Sequence, residues 1–339
     1  MKKLTILLVL ITVLILPSCS SDNDTTEPGI VVDFPDRKLE GLIREAIHKD
    51  EGNIYARDLD GITSLKPYGK DANMRIKKLD GIEYCINLKY LYLNNQEIRD
   101  ITPLKDLVKI EKLYLNSNYI HDISPLSNLT GLTYLNLSKN NIRDISPLSS
   151  LVNLKILTLS HNQISDVNPL ASLEELEDLS VSNITTDGIS PISTLGNLEA
   201  LTIRGDNLTD ISQLTSLIRL KRLFITGGNL SDITPVASLA NLKYLGLPDN
   251  QIKDISPLSS LTKLGELDLG NNKITDISPL SRLEHLYRLS LARNQISDIS
   301  PLLEVKGLRN LSLKDNPLSD ESVNTIIPEI ESVWLEIYW

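Results

Sequence analysis

Leucine and isoleucine recur along most of the chain in a pattern that repeats every 22 residues. The unit reads L-x-x-L-x-L-x-x-N-x-I-x-D-I-x-P-L-x-x-L-x-x and is clearest at residues 132–153 and 242–263. Eleven copies follow one another without an insertion, with first residues at positions 88, 110, 132, 154, 176, 198, 220, 242, 264, 286 and 308. An interval this strict predicts a solenoid in which similar coils stack in register.

The opening of each unit, LxxLxL, predicts a short strand. Side chains alternate along a strand, so the leucines should point inward and the third, fifth, seventh and eighth residues of the unit outward. Stacked copies should then form one parallel sheet on the concave face. The predicted fold class is an α/β solenoid, a leucine-rich-repeat horseshoe with helical caps.

Two polar columns accompany the leucines. The ninth residue of the unit is asparagine in seven of the eleven copies: Asn118, Asn140, Asn162, Asn250, Asn272, Asn294 and Asn316. An amide both donates and accepts hydrogen bonds, so this column should satisfy backbone groups of neighbouring coils where each strand ends.

The thirteenth residue is aspartate in ten copies: Asp100, Asp122, Asp144, Asp166, Asp210, Asp232, Asp254, Asp276, Asp298 and Asp320. Most of them precede Ile-Ser-Pro-Leu or a close variant, which predicts that the carboxylate caps the short helical turn opened by proline. A metal ladder is the alternative interpretation, but capping accounts for the aspartates, and we predict no metal.

Both ends of the repeat array have a predicted cap. In residues 34–87, apolar residues at helical spacing from Leu39 to Ile47 predict an amphipathic helix with Asp36 as its N-cap. Half a repeat is expected over residues 66–87, with Cys85 buried at a leucine position. The repeats proper span 88–319. A helix that Pro328 kinks or ends and a final strand form the second cap over residues 320–339.

The first 18 residues have the features of a signal peptide: two lysines, an apolar run over 4–16, and then small residues. Residues 16–19, Leu-Pro-Ser-Cys, resemble the lipobox of bacterial lipoproteins, which implies a lipid on Cys19. An ordinary signal peptide with a chance cysteine is the alternative. Residues 20–29 read SSDNDTTEPG, and this polar stretch predicts a flexible tether over residues 19–33. Ser20 after the cysteine resembles the sorting pattern for the outer membrane.

Composition narrows the function classes. The formal net charge is −10, so a nucleic acid is not expected as a partner, because phosphate binding needs a basic surface. The four histidines occupy unrelated positions of the repeat, and the chain has no nucleophile paired with a base, no phosphate-binding glycine loop and no Cys/His metal spacing. We therefore expect no enzymatic activity and no cofactor.

Aromatic residues at outward positions mark the candidate binding surface. Four of the eleven tyrosines fall in the first three strands: Tyr90, Tyr92, Tyr114 and Tyr134. A second group comprises Arg222, Phe224 and Tyr244. Large, rigid side chains with a polar tip are typical anchors of protein interfaces. The alternative for both groups is a cross-strand ladder that only stabilises the sheet.

The 22-residue unit preceded by a helical cap resembles the internalin family of bacterial leucine-rich-repeat proteins over residues 34–339. The resemblance implies binding of host proteins through the concave sheet. The chain departs from the family pattern because it lacks an immunoglobulin-like module and a wall-sorting signal after the repeats, and a lipid anchor at the other end is expected instead.

These observations predict a monomeric, non-enzymatic lipoprotein that binds a protein from a host or neighbouring cell. It would sit in the cell envelope at the surface of the outer membrane and contact the membrane only through its lipid. The alternative is a glycan-binding or envelope-scaffolding lipoprotein that faces the periplasm, since aromatic platforms also stack on sugars. A leucine-rich repeat fixes the architecture and leaves the ligand open.

Overall fold

A computed structural model describes residues 29–67, 75–184, 187–205, 208–331 and 336–338. The predicted signal peptide, the lipid-attachment candidate Cys19 and most of the predicted tether lie outside these ranges. Within the described ranges, no helix combines the length and apolar character needed to cross a membrane.

In this part of the chain, thirteen strands form one parallel sheet whose spatial order follows the sequence, as the repeat predicts. The strands are β1 (Ser64–Leu65), β2 (Tyr90–Tyr92), β3 (Lys112–Tyr114), β4 (Tyr134–Asn136), β5 (Ile156–Thr158), β6 (Asp178–Ser182), β7 (Ala200–Arg204), β8 (Arg222–Thr226), β9 (Tyr244–Gly246), β10 (Glu266–Asp268), β11 (Arg288–Ser290), β12 (Asn310–Ser312) and β13 (Glu336–Tyr338).

The pairing register follows the 22-residue period from β2 to β12; Tyr90, for example, lies opposite Lys112. At both ends the offset is 26 residues, because Ser64 pairs with Tyr90 and Asn310 with Glu336. The strand of the first coil therefore precedes the half repeat expected over 66–87. Ile62 and Leu65 are buried in it at the spacing that opens every later unit.

The core is a continuous column of leucine and isoleucine between the sheet and the turns. The inward leucines of two successive coils, Leu135, Leu137, Leu157 and Leu159, have no exposed surface. Burying a leucine contributes about 1.5–3 kcal/mol to stability. Because each coil is one side chain thick, this contribution depends on the neighbouring coils.

The strand turns at the eighth residue of each unit, which has a positive φ in all eleven repeats. Nine of these residues are not glycine: Asn95, Ser117, Lys139, His161, Asn183, Asp249, Asn271, Arg293 and Asp315. The other two are Gly205 and Gly227. The left-handed region costs a non-glycine residue about 1–2 kcal/mol. In most coils this geometry aims the N–H at the next coil, as where Lys139 donates to the Ser160 carbonyl (2.9 Å).

The asparagine column satisfies the backbone at this turn, as predicted. The Asn140 amide donates to the carbonyls of Leu115 in the preceding coil and Leu137 in its own, both at 3.0 Å. Its carbonyl accepts from the Ile120 N–H, also at 3.0 Å. Each asparagine thus joins two coils, and all of them except the partly buried Asn316 do so from a buried position.

Three middle repeats lack this asparagine, and their strands are longer. The ninth position is occupied by Ile184, by residue 206, which lies outside the described ranges, and by Gly228. Strands β6, β7 and β8 each have five residues, whereas every other strand between β2 and β12 has three. Backbone pairing thus extends to the seventh residue of the unit where the amide bridge is missing.

The seventh residue does not always point outward as expected. Ser160 and Ser182 are buried at this position. Ser160 shares a hydrogen bond with Ser180 (2.7 Å), and the Ser182 hydroxyl accepts from the His161 N–H (2.7 Å). Polar partners within the stack explain why these two hydroxyls turn inward.

The convex face consists of short 3₁₀ turns, many opened by proline as predicted. They span Ala56–Leu59, Ile82–Tyr84, Thr102–Leu104, Ser124–Leu126, Ser146–Ser150, Asn168–Ser172, Asp187–Ile189, Ser212–Ser216, Thr234–Ser238, Ser256–Ser260, Ser278–Arg282 and Ser300–Glu304, and one α-helical turn, α2, spans Ser190–Ser193.

The aspartate column caps these turns. In nine of the ten copies the carboxylate accepts a backbone hydrogen bond from the residue two positions on, at 2.7–2.9 Å. At Asp144 the N–H and hydroxyl of Ser146 both lower the pKa of the carboxyl group. The capping interpretation is confirmed for these nine residues.

The N-terminal cap contains α1 (Arg37–Ile47), which buries Leu39, Leu42 and Ile43. Asp36 is its N-cap, as predicted, and accepts from the N–H groups of Lys38 and Leu39. The second carboxylate oxygen accepts from the N–H groups of Lys77 and Lys78, at 2.7 and 3.2 Å. One side chain therefore joins the helix to the first coil.

The cap also begins earlier in the chain than predicted. Val32, expected in the tether, is buried and donates its N–H to the Ile54 carbonyl (2.8 Å). The Ala56 N–H donates to the Ile30 carbonyl (2.9 Å). Residues 30–32 therefore form part of the folded cap.

The C-terminal cap is a π turn (Ser322–Ile326) that leads into α3 (Ile327–Glu331), followed by β13. Ile326, Ile327 and Ile330 cover the last coil, as predicted. Pro328 does not end the helix. The wider π turn directly precedes this proline, at a position where its ring would crowd a regular helical turn.

We predict that Asn140→Ala lowers the free energy of unfolding by about 2–4 kcal/mol, because buried backbone groups lose their partners. Urea denaturation followed by circular dichroism measures the loss. Asn141→Ala is the matched control, since Asn141 is the exposed neighbour, and it should cost about 0.5 kcal/mol or less. Equal losses in the two variants would contradict the bridging role.

A second prediction concerns Asp36. Partial burial opposes its ionisation, but the four N–H groups prevail and hold its pKa below the ordinary value of 3.8. Asp36→Ala should cost about 1–2 kcal/mol at neutral pH. The wild type loses this stabilisation as the pH falls from 3.8 through the lowered pKa.

Unfolding curves at neutral and acidic pH should therefore show the difference between wild type and Asp36→Ala narrowing with acid. Asp50→Ala, an exposed change in the same cap, is the control. A difference that is independent of pH would argue against the N-cap carboxylate as its source.

Candidate functional site

Three tyrosines of the first aromatic group form a continuous stack on the concave face. The rings of Tyr92 and Tyr114 are stacked with centroids 4.5 Å apart and planes 19° apart. Tyr114 and Tyr134 follow at 4.3 Å and 28°. All three side chains are half-buried. We call Tyr92, Tyr114 and Tyr134 the tyrosine stack.

The stack runs diagonally across the sheet. Tyr92 and Tyr114 are both fifth residues and lie opposite each other on β2 and β3. Tyr134 is a third residue, and its direct neighbour on β3 is Lys112. The sequence indicates a patch, but only the ring orientations show which tyrosines stack on which.

The contacts inside the stack use both faces of the Tyr114 ring and one face each of the Tyr92 and Tyr134 rings. Partial burial, together with the neighbouring hydroxyls of Tyr134 and Tyr92, raises the pKa of Tyr114. The ammonium group of Lys66 lies 5.3 Å from the Tyr92 ring centroid, at the end of the stack opposite Tyr134.

Tyr90, the first residue of β2, is not part of the stack. Its hydroxyl donates to the Glu111 carboxylate at 3.2 Å, and the same carboxylate pairs with the Lys89 ammonium at 2.9 Å. The structure thus brings three of the four predicted tyrosines into mutual contact and places the fourth beside them.

The second predicted group is also assembled, with one further member. Phe224 and Tyr244 have centroids 6.3 Å apart and planes 22° apart. The guanidinium of Arg222 lies 5.6 Å from the Tyr244 centroid, and that of Arg204 lies 5.0 Å from the Phe224 centroid. We call these four residues the arginine–aromatic cluster. Cation–π contacts of this length are attractive.

Sequence reasoning did not include Arg204 in this group. Arg204 is a seventh residue and is part of the strand because β7 is extended. The sequence feature that could have drawn attention to Arg204 is the missing asparagine two residues later. Its absence predicts a changed strand end but does not predict where the Arg204 side chain lies.

Gly246 makes room for the cluster. A β-carbon at this position would lie 2.5 Å from Phe224 Cδ2 and 2.9 Å from the Tyr244 hydroxyl. Phe224 and Gly246 are direct neighbours on β8 and β9. The absence of a side chain lets both rings settle against the sheet, where burial raises the pKa of Tyr244 as Asp268 also does.

Small polar residues separate the two aromatic sites. Between β4 and β8, the fifth residues of the repeat units are Thr158, Ser180 and Thr202. Four strand spacings of about 4.8 Å place the sites about 19 Å apart. A single partner of ordinary size could cover both.

Comparisons with known proteins place this architecture in a family. Leucine-rich-repeat profiles match at residues 108–150 and 240–282 as two-copy units, and at residues 153–174 as a single repeat. An internalin of Listeria monocytogenes, InlF, is 36% identical over 90% of this chain and 88% of its own, with a TM-score of 0.80. The chain belongs to the internalin family of leucine-rich-repeat proteins.

Two further solved structures share the fold. InlJ of Listeria monocytogenes is 22% identical over 90% of this chain and 69% of its own, with a TM-score of 0.67. A leucine-rich-repeat protein of Leptospira interrogans is 24% identical over 78% of this chain and 82% of its own, with a TM-score of 0.57. No curated protein sequence matches this internalin significantly.

Groups capable of covalent or metal chemistry are scarce in the described part of this internalin. Cys85 is buried at a leucine position, where desolvation raises the pKa of its thiol to about 12. The described residues contain no group of three or more His, Cys, Asp or Glu side chains that could hold a metal ion. The chemistry that the concave surface does offer is aromatic contact, hydrogen bonding and charge.

Proposed function

We propose that this internalin is a non-enzymatic, lipid-anchored protein of the bacterial cell envelope that binds a protein partner through its concave face. Leucine-rich-repeat proteins of the internalin type typically mediate protein–protein interactions and are generally not enzymes. Tyr90, Tyr92, Tyr114, Tyr134, Arg222, Phe224 and Tyr244 are the proposed contact residues.

The observation that carries the proposal is that the sheet does not need the tyrosine stack. At the same fifth position, Thr158 and Ser180 form the same parallel pairing with no aromatic ring. The buried leucines hold the coils with or without the tyrosines, and Ser180 lies in a repeat that also lacks the asparagine bridge. Three large side chains are therefore kept on the surface without a demand from the fold, which favours a binding role.

The geometry of the stack favours a protein over a sugar as the ligand. A sugar ring packs on an open aromatic face, whereas most ring faces of the tyrosine stack are in contact with one another or with the Lys66 ammonium, so edges and hydroxyls make up most of what it offers. Such a surface suits apolar side chains and backbone carbonyls of a protein partner, because tyrosine provides a large contact area together with a hydrogen bond.

The anchor proposal rests on the leader. The proposed signal peptide at 1–18 ends directly before Cys19. Cys19 would carry the lipid, and residues 19–29 would tether the solenoid to the membrane. Ser20 supports an outer-membrane location, and a concave face directed outward would meet a host or neighbouring cell. The protein would act as a monomer with one partner face.

To test the binding face, we predict that replacing Tyr92, Tyr114 and Tyr134 by Asn, Thr and Ala removes partner capture without unfolding the chain. Small or polar residues stand at these strand positions in other repeats, so the sheet should persist. The purified full chain in detergent would serve as bait for host and bacterial surface proteins, with retained proteins identified by mass spectrometry.

Tyr119→Ala is the matched control, because Tyr119 is 46% exposed and lies outside the concave strands. Proteins retained by wild type and by Tyr119→Ala but lost by the triple variant would support the proposal. The same set retained by all three chains would remove the tyrosine stack from consideration.

A separate prediction concerns the anchor. Metabolic labelling with a fatty-acid analogue should mark the wild type and not Cys19→Ala, whereas Cys85→Ala should label normally. Added protease should digest the solenoid on intact cells. Labelling of Cys19→Ala would refute lipid attachment at this residue, and protection from protease would favour the periplasm-facing role.

A further inference from the structure

An open depression of ≈ 600 Å³ lies beside the arginine–aromatic cluster, where strands β8 to β11 begin. Four cationic side chains line it: Lys221, Arg222, Lys243 and Lys263. We call these four residues the basic pocket. They come from two successive repeats, 220–241 and 242–263, and only coil stacking brings them together.

Most of this positive charge is not neutralised within the chain. Lys221 pairs with Glu199 at 2.7 Å. Among the described residues, no carboxylate lies within ion-pair distance of Arg222, Lys243 or Lys263. The side chains of all four pocket residues are exposed, and they stand out against the overall net charge of −10.

The depression exists because Gly265 interrupts the outward row of side chains. A β-carbon there would lie 2.7 Å from Cε1 of Tyr287. The Tyr287 ring lies over the glycine, and its hydroxyl donates to Glu266 at 2.6 Å. The pocket therefore has an aromatic wall beside its cations.

We propose that the basic pocket binds a carboxylate-rich segment of the protein partner. This proposal rests on the proposed function, since the segment belongs to the same partner that covers the concave face. Arg222 is a member of both the arginine–aromatic cluster and the basic pocket, and Tyr244 of the cluster also lines the depression. A partner segment that lies on the cluster would therefore continue directly into the basic pocket.

A peptide with spaced carboxylates fits the pocket better than a dense polyanion does. Glu266 stands among the cations and would repel closely spaced sulfates or phosphates. Separate carboxylates can approach Lys243 and Lys263 on one side and avoid Glu266, while apolar side chains between them contact Tyr287. The electrostatic attraction between these carboxylates and the lysines acts mainly on the association rate and is weakened by salt.

The test measures binding of a short peptide in which glutamates alternate with leucines to the full chain in detergent at low ionic strength. The wild type should bind it, and added salt should weaken the affinity. Lys243→Glu combined with Lys263→Glu should weaken binding by about tenfold or more.

Lys253→Glu combined with Lys273→Glu is the matched control. These exposed lysines flank the same two strands, and their replacement changes the net charge by the same amount, but they follow β9 and β10, whereas Lys243 and Lys263 precede them. The control should bind the peptide within about twofold of wild type, and circular dichroism should show both variants folded. Equal weakening in both double variants would reduce the effect to overall charge and overturn the proposal.

A heparin-derived oligosaccharide tests the competing ligand class. Binding of the oligosaccharide without binding of the peptide would overturn the proposal, as would failure of the wild type to bind either. The triple tyrosine variant should retain peptide binding, because the stack lies on other strands. Loss of partner capture in that variant with no peptide binding in the wild type would leave the proposed function intact and remove only the basic pocket.

Discussion

Each coil of this protein buries its leucines only against the coils before and after it. No coil has an interior of its own, so stability depends on neighbours that stack in register. The constant 22-residue interval supplies that register. The left-handed eighth residue then fixes the end of each strand in the repeats. In most repeats an asparagine also satisfies amide and carbonyl groups that a parallel sheet would otherwise leave without partners there.

The fold therefore places few constraints on the side chains at the outward strand positions. Thr158, Ser180 and Thr202 show that small polar residues suffice there. Aromatic residues gathered at the two ends of this polar stretch thus give the concave face two sites on one rigid sheet. A rigid platform reduces the ordering cost of binding, which is an advantage for a recognition surface.

The middle repeats show how a local structural change can alter this surface. Without the asparagine bridge, β7 and β8 extend by two residues and pair through their backbones. Arg204 then belongs to the strand and lies over Phe224, while Gly246 on the next strand accommodates the ring. A change that looks like sequence drift in a tolerant stack thus coincides with one of the two candidate contact sites.

The repeat pattern was enough to predict the fold class, the inward leucines and the roles of the asparagine and aspartate columns. The N-cap at Asp36 and the approximate extent of both caps could also be predicted. All of these follow from periodicity or from contacts within one or two coils, which a regular repeat makes predictable. It also identified the tyrosines and Phe224 as outward residues. The coordinates were needed for the 26-residue register at each end of the sheet and for the earlier start of the N-terminal cap. They were also needed for the diagonal stack of Tyr114 on Tyr134, for the position of Arg204 and for the basic pocket. These depend on ring orientation and on side chains that meet across coils, and a linear pattern does not specify such distances.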